Sequence, residues 1–147
     1  MKSIFDEETY QEVLDRLNAL KPESQRQWGK MTVSQMLWHC QIFIRLAIKN
    51  EKTNKKSNPF IRLFFKKSMY SDKPWRKNLP TLPAAKTQED KDFDQELTAL
   101  RQLVEQLHNL SNRDHWNPHP LFGEFTPEQW GKLEYKHLDH HFRQFGV

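Results

Sequence analysis

The sequence predicts an all-α protein, and three observations lead there. Apolar residues recur at three- and four-residue spacing in several long segments, and no segment sustains the period-two alternation of a half-buried strand. Only four glycines are present. Ten Phe, five Trp and three Tyr exclude a disordered chain. A length of 147 residues suits one domain, residues 1–147, with a single core.

Four main helices are expected. The first runs from about Asp6 to Leu20, with Tyr10, Val13, Leu14 and Leu17 as its apolar stripe, and Pro22 ends it. The second runs from about Val33 to Asn50 behind Thr32, a residue type suited to the N-cap. Val33, Met36, Cys40, Phe43, Ile44 and Ala47 share one face of it, and His39 lies on the flank of that face. The third runs from about Gln88 to Leu110 on the stripe Phe93, Leu97, Leu100, Val104 and Leu107. The fourth begins at Thr126-Pro127-Glu128-Gln129, with a capping-box spacing and Pro in the first turn, and ends near Phe145 before Gly146.

Between the second and third helices lies a long irregular crossover, Glu51 to Thr87. Asn58-Pro59 predicts a short helix through Lys67 within it, and Pro74, Pro80 and Pro83 argue against regular structure afterwards. A connection of this length suits a crossover in a helical bundle better than a hairpin. It carries Lys52, Lys55, Lys56, Arg62, Lys66, Lys67, Lys73, Arg76 and Lys77 against one acid, Asp72. Such a run reads first as a solvated connection and second as a binder of an anionic surface or ligand. Few aromatics are arranged for base stacking, so nucleic acid ranks last among partners.

The N-terminus turns acidic at once, so no signal peptide is expected. No apolar stretch is long enough to span a bilayer, and no membrane partner is expected. The single cysteine, Cys40, rules out an intrachain disulfide and suits a reducing, cytoplasmic setting.

The chemistry concentrates in the last helix, at His137-Leu138-Asp139-His140-His141-Phe142-Arg143-Gln144. At about 100° per residue, His137 and His141 fall with Trp130 at the centre of the buried face. Glu134 and Gln144 fall beside them, and His140 falls at the edge. Lys132, Lys136, Asp139 and Arg143 occupy the opposite, exposed arc. Buried imidazoles without partners cost about 1–3 kcal/mol each, and a metal ion satisfies them by accepting neutral nitrogens. Two ligands from one helix are not enough, and His39 is the best third. A site of three histidines leaves coordination positions open.

Other residues have competing readings. Cys40 is an alternative ligand, but its place in the apolar stripe suits a packed core thiol. Glu134 suits a general base, a fourth ligand, or an ion pair with a basic side chain. His115 and His119 lie in a loop, where a surface position is the default. A loop folded over the bundle end would instead let His119 line a pocket, which makes it a second catalytic candidate.

His39 together with His137-x-x-x-His141-x-x-Gln144 resembles the DinB/YfiT-like superfamily of metal-binding four-helix bundles. The segments Pro120–Thr126, Trp130–Leu133 and Tyr135–His141 are similar to one small branch of it. The likeness covers nearly the whole chain in helix order and is sharp around Met31–Cys40 and Pro120–Gly146. It implies an up-down-down-up four-helix bundle. It also implies a divalent ion, zinc or nickel, on His39, His137 and His141, with Gln144 and His140 as neighbours of the ligands, and frequent homodimers. The activities it implies are those of a metal-dependent hydrolase or a low-molecular-weight-thiol transferase acting on an anionic or thiol-bearing small molecule. A non-enzymatic metal-binding or stress-response bundle is the alternative. One departure stands out: many members carry Gly before the Gln, and here that place is Arg143.

Overall fold

The computed structural model describes residues 2–52 and 58–147. Lys55 and Lys56 of the basic run lie outside the described residues. Among the described residues there are five α-helices: α1 (Glu7–Ala19), α2 (Val33–Lys49), α3 (Pro59–Met69), α4 (Phe93–His108) and α5 (Pro127–Gln144). A 3₁₀ turn occupies Pro83–Ala85. No strand forms among them, only an isolated antiparallel bridge between His119 and Gly123. The chain is all-helical, as its periodicity predicts.

Short polar side chains set the helix starts. Thr32 and Gln35 close a capping box on α2: the Thr32 hydroxyl accepts from Gln35 N–H at 3.2 Å, and the Gln35 amide accepts from Thr32 N–H at 3.0 Å. Thr126 and Gln129 do the same on α5, at 3.2 and 3.1 Å. Each pair satisfies two backbone donors that have no partner within the helix. Asn58 caps α3 by accepting from Phe60 N–H at 2.9 Å. The expected short helix is therefore real and extends slightly beyond Lys67, to Met69.

α4 departs from expectation at its start. It begins at Phe93 rather than near Gln88 because the Asp92 carboxylate takes the Gln95 N–H at 2.8 Å. That local bond fixes the N-cap there, and the polar stretch before it has no apolar stripe to bury. The crossover is also less irregular than its prolines suggest, since Pro83 opens the 3₁₀ turn and Ala85 in it is buried.

α2 is the central helix. It packs most extensively along α4 and also touches α5; α1 bridges α4 and α5, while α3 meets the body through α5. Met36, Leu37, Cys40 and Ile44 of α2 and Leu100, Val104 and Leu107 of α4 are all fully buried. Each such side chain contributes about 1.5–3 kcal/mol relative to leaving it exposed. Val13 and Leu17 of α1 and Leu138 and Phe142 of α5 complete this core.

The helical wheel misplaces one residue of α5. Lys136, expected in the exposed arc, is 5 % exposed. The crossover folds back across that face: Lys136 Nζ donates to the carbonyls of Ser68 and Ser71, both at 2.6 Å, and lies over the Trp75 ring at 5.7 Å. A wheel ranks faces of one helix and has no knowledge of a distant loop that returns to cover one of them. Arg143 does stay exposed, as the wheel indicates. Among the described residues no helix is long and apolar enough to cross a membrane.

The N-terminal segment is clamped to α5 where a side chain would not fit. Ile4 N–H donates to the Gly131 carbonyl at 3.1 Å, and Ile4 is fully buried. A Cβ on Gly131 would fall against Ser3 Oγ and 2.6 Å from a ring carbon of Phe5. Replacing Gly by Ala inside a helix ordinarily gains about 0.5–1 kcal/mol. Here the sign reverses. Gly131→Ala is expected to destabilise the fold by about 1–3 kcal/mol through overpacking, read as a lower urea midpoint with an unchanged slope.

Candidate metal centre

α2 brings His39, and α5 brings His137 and His141, to one point. One ring nitrogen of each lies within 4.8 Å of the other two, and all three residues are buried. His39 Nε2 and His137 Nε2 are 3.2 Å apart. The rings meet edge to face, at interplanar angles of 64°, 72° and 84°. The three histidines are therefore close enough to bind a metal ion.

The far side of each ring decides where its proton sits. His39 Nδ1 is 2.8 Å from the Ala85 carbonyl, which can only accept. Nδ1 must then carry the hydrogen, and Nε2 is left with its lone pair. His141 Nδ1 is 2.8 Å from Gln144 Oε1, and the amide is oriented by Nε2 donating to the Trp28 carbonyl at 2.8 Å. His141 is therefore also an Nδ1–H tautomer with a free Nε2 lone pair. Gly29 makes room for this link: its φ is +81°, and a Cβ there would fall 2.5 Å from the Gln144 amide nitrogen. His137 differs. Its Nδ1 is buried with no hydrogen-bond partner among the described residues.

Burial keeps all three rings neutral. It lowers the His39 pKa below the ordinary imidazole value, against a smaller opposing effect of the Ala85 bond. It takes His141 down to about 3, with His39 adding to the effect, and His137 well below the usual range. Neutral imidazoles with converging ligand atoms, two of them with Nε2 lone pairs left free by the bonds behind their rings, are a donor set that suits a divalent metal ion. The residues present fit such an ion on this ground.

Other expected residues fall at varying distances from the triad. Gln144 is buried and bonded to His141. His140 is half-buried, its ring packed on His141, Trp28 and Trp75. Glu134 is 2 % exposed, and its Oε2 has no partner among the described residues. Burial pushes its carboxyl up to about 8, so it is a neutral acid at pH 7 rather than half of an ion pair. It sits one turn before His137 but is not among the three residues whose ligand atoms converge. Cys40 is fully buried with Sγ 3.7 Å from Met36 Sδ, and burial raises its thiol far above the reactive range. It is a core residue.

The loop histidines part company. His115 is exposed and bonds Asn117 at 3.2 Å. His119 is buried, against the surface default, because its loop closes on itself through the paired N–H···O bonds with Gly123 at 2.9 Å. Its Nδ1 accepts from Leu121 N–H at 3.1 Å, and its ring packs on Phe122, Phe125 and Trp130. Trp130 is about 10 Å along α5 from His137 at 1.5 Å per residue. His119 and the triad thus belong to different turns of the same helix surface.

Three residues in contact with the triad escape sequence reasoning as its neighbours. Phe43 packs on His39 and His137, and Trp75 packs on His137. The Ala85 carbonyl holds His39. A carbonyl carries no residue signature, and Trp75 lies in the crossover, where no periodicity orients it.

The chain matches over residues 4–146 the family described as "Protein of unknown function (DUF1569)". It belongs to the DUF1569 family. The matched span contains all five helices and all three converging histidines, so the triad lies inside the family's domain. No curated protein and no solved structure matches this DUF1569 chain.

Glu134 makes the apo fold sensitive to alkaline conditions. Its folded pKa is raised, so its full contribution is present below the ordinary carboxylate range and is lost as pH rises towards about 8. Glu134→Gln, a neutral isostere, is expected to raise the melting temperature relative to the native chain by an amount that grows between pH 5 and 8, both proteins being held in chelator. At pH 4 the advantage disappears. A difference independent of pH contradicts the assignment.

Proposed function

We propose that this chain is a metal-dependent enzyme, either a hydrolase or a low-molecular-weight-thiol transferase. Its divalent ion, zinc or nickel, would be held by His39, His137 and His141. The observation that carries the reading is the tautomer geometry. Two Nε2 lone pairs are fixed by hydrogen bonds behind their rings and belong to residues whose ligand atoms converge with those of a third imidazole. The likeness to DinB/YfiT-like bundles supports it, and an up-down-down-up arrangement of α1, α2, α4 and α5 is part of the same reading. So are a small anionic or thiol-bearing substrate, a homodimer, and a cytoplasmic setting for the free thiol of Cys40.

A bound ion would lower the pKa of a coordinated water or thiol and make it nucleophilic near pH 7. The protein's own groups do the rest. Ala85 and Gln144 orient two imidazoles and strengthen them as donors. Phe43 and Trp75 exclude water from His137. Glu134 keeps its proton at pH 7 and, one turn before His137, is the carboxyl we assign to give one to a leaving atom.

A second reading follows from the depth of the site. His39, His137 and His141 are 3 %, 7 % and 6 % exposed. Such enclosure suits an ion with a purely structural role in a non-enzymatic bundle.

Metal content decides the first step. Protein purified without a nickel column is expected to carry one divalent ion per chain by elemental analysis. His39→Ala, His137→Ala and His141→Ala should each abolish it. Adding metal at about 100 times its dissociation constant should stabilise the apo chain by about 2.7 kcal/mol. Gln144→Leu should weaken metal affinity about 10–100-fold while leaving the fold intact. If the ion is absent, and neither zinc nor nickel moves the melting temperature, the proposal fails. In the cobalt-substituted protein, a thiol that changes the visible spectrum favours the enzyme; an unresponsive spectrum favours the structural ion.

A further inference from the structure

We infer that α3 is a docking face for an anionic lipid surface. It goes beyond the metal reading and does not depend on it. Phe60, Leu63 and Phe64 are 72 %, 75 % and 67 % exposed, and Phe65 is 56 % exposed. Residues 60, 63, 64 and 67 fall on one helical face, so three large apolar side chains form a row that ends in the exposed Lys67. A contiguous apolar row on the outside of a helix marks an interaction site.

The charge around the row selects its occupant. Arg62, Lys66 and Lys67 flank it, and none of them forms an ion pair among the described residues. Lys66 instead reaches the Glu124 carbonyl and lies over the Phe125 ring at 5.2 Å. Beside them a surface groove is lined by Pro59, Arg62, Leu63, Lys66, Lys67 and Tyr70. Exposed Phe and Leu with basic residues at the end of their row (Lys67) and off it (Arg62) is a composition that suits a bilayer interface, the rings at acyl depth and the cations among anionic headgroups. Lys52, Lys73, Arg76 and Lys77 extend the same positive field along the chain.

Other occupants fit less well. A second copy packed two-fold on this face would bring the basic residues of two α3 helices together, and α3 itself carries no acid to compensate. Nucleic acid answers the charge but leaves the apolar row in water.

The face is presented on a firm support. The carbonyl of Ser68, near the end of α3, accepts from Lys136 Nζ at 2.6 Å and from Trp75 Nε1 at 3.0 Å. Trp75 also packs on His137 at 6.0 Å. The docking helix and the triad therefore share a strut. This takes up the second reading of the basic run, an anionic surface, and departs from the expectation of no membrane partner: among the described residues no helix could span a bilayer, and the contact inferred is with its surface.

The full chain should co-sediment with vesicles of phosphatidylcholine mixed with phosphatidylglycerol and bind about tenfold or more weakly to phosphatidylcholine alone. Affinity should fall as salt rises. Leu63→Glu and Phe64→Glu, both at exposed positions, should each lower vesicle affinity about tenfold with circular dichroism, melting temperature and metal content unchanged. Lys67→Glu should lower it in low salt and much less in high salt. Absence of binding to anionic vesicles overturns the inference. So does equal binding by the Glu variants, or a dimer in solution that Phe64→Glu dissociates. Retention on duplex DNA with no vesicle binding also overturns it. Metal content read on the same samples separates failure here from failure of the proposed metal chemistry.

Discussion

Three uncharged imidazoles buried at the meeting of α2 and α5 are the constraint around which the rest of this structure is arranged. Each ring has two polar nitrogens, and burying one without a partner costs about 1–3 kcal/mol. The fold answers from behind for two rings: the Ala85 carbonyl for His39, and the Gln144 amide, itself held by Trp28, for His141. These supports come from the crossover, the end of α5 and the α1–α2 loop, so distant stretches of chain are committed to the same site. Of the three rings His137 keeps an orphaned Nδ1, and Oε2 of Glu134, one turn away, also has no partner among the described residues. Two unmet polar atoms one helical turn apart, beside two further buried imidazoles, set it apart from an ordinary helical core.

The crossover between α2 and α4 is the least regular part of the chain and has the greatest influence on that site. It supplies Trp75 against His137 and the Ala85 carbonyl against His39, and it buries Lys136. Lys136 in turn fastens the end of α3 through the Ser68 and Ser71 carbonyls. The segment is both roof and anchor. A long connection without a regular core of its own is commonly functional rather than passive, and here its polar bonds run mostly to backbone carbonyls, which no residue pattern announces.

Legibility followed the range of the interaction concerned. Thr32, Asn58 and Thr126 mark helix starts that the structure keeps, because a cap is a bond between residues two or three apart. The inward direction of His137, His141 and Gln144 was readable for the same reason: helical periodicity is local. The partnership of His39 with them was reached by a chemical argument, that two imidazoles on one face need a third ligand, and the three do meet. What failed was whatever depended on another segment arriving. Periodicity puts Lys136 on the exposed face, but the crossover covers it; a loop position makes the surface the default for His119, but its loop closes on Phe122, Phe125 and Trp130. The start of α4 moved to Phe93 because Asp92 captured the Gln95 N–H, a cap that the apolar stripe alone did not reveal.

By itself, then, the sequence determined that the chain is helical, where most of its helices begin, and which faces carry histidine. Those properties rest on backbone hydrogen bonds and side-chain spacing within a few residues. Tertiary structure decided the rest: which nitrogen of His39 and His141 carries the proton, that Glu134 is held uncharged, and that Lys136 is buried while Phe60, Leu63 and Phe64 are not. Tautomer, protonation and exposure depend on what lies within a few ångströms in space, and here the deciding neighbours come from segments tens of residues away.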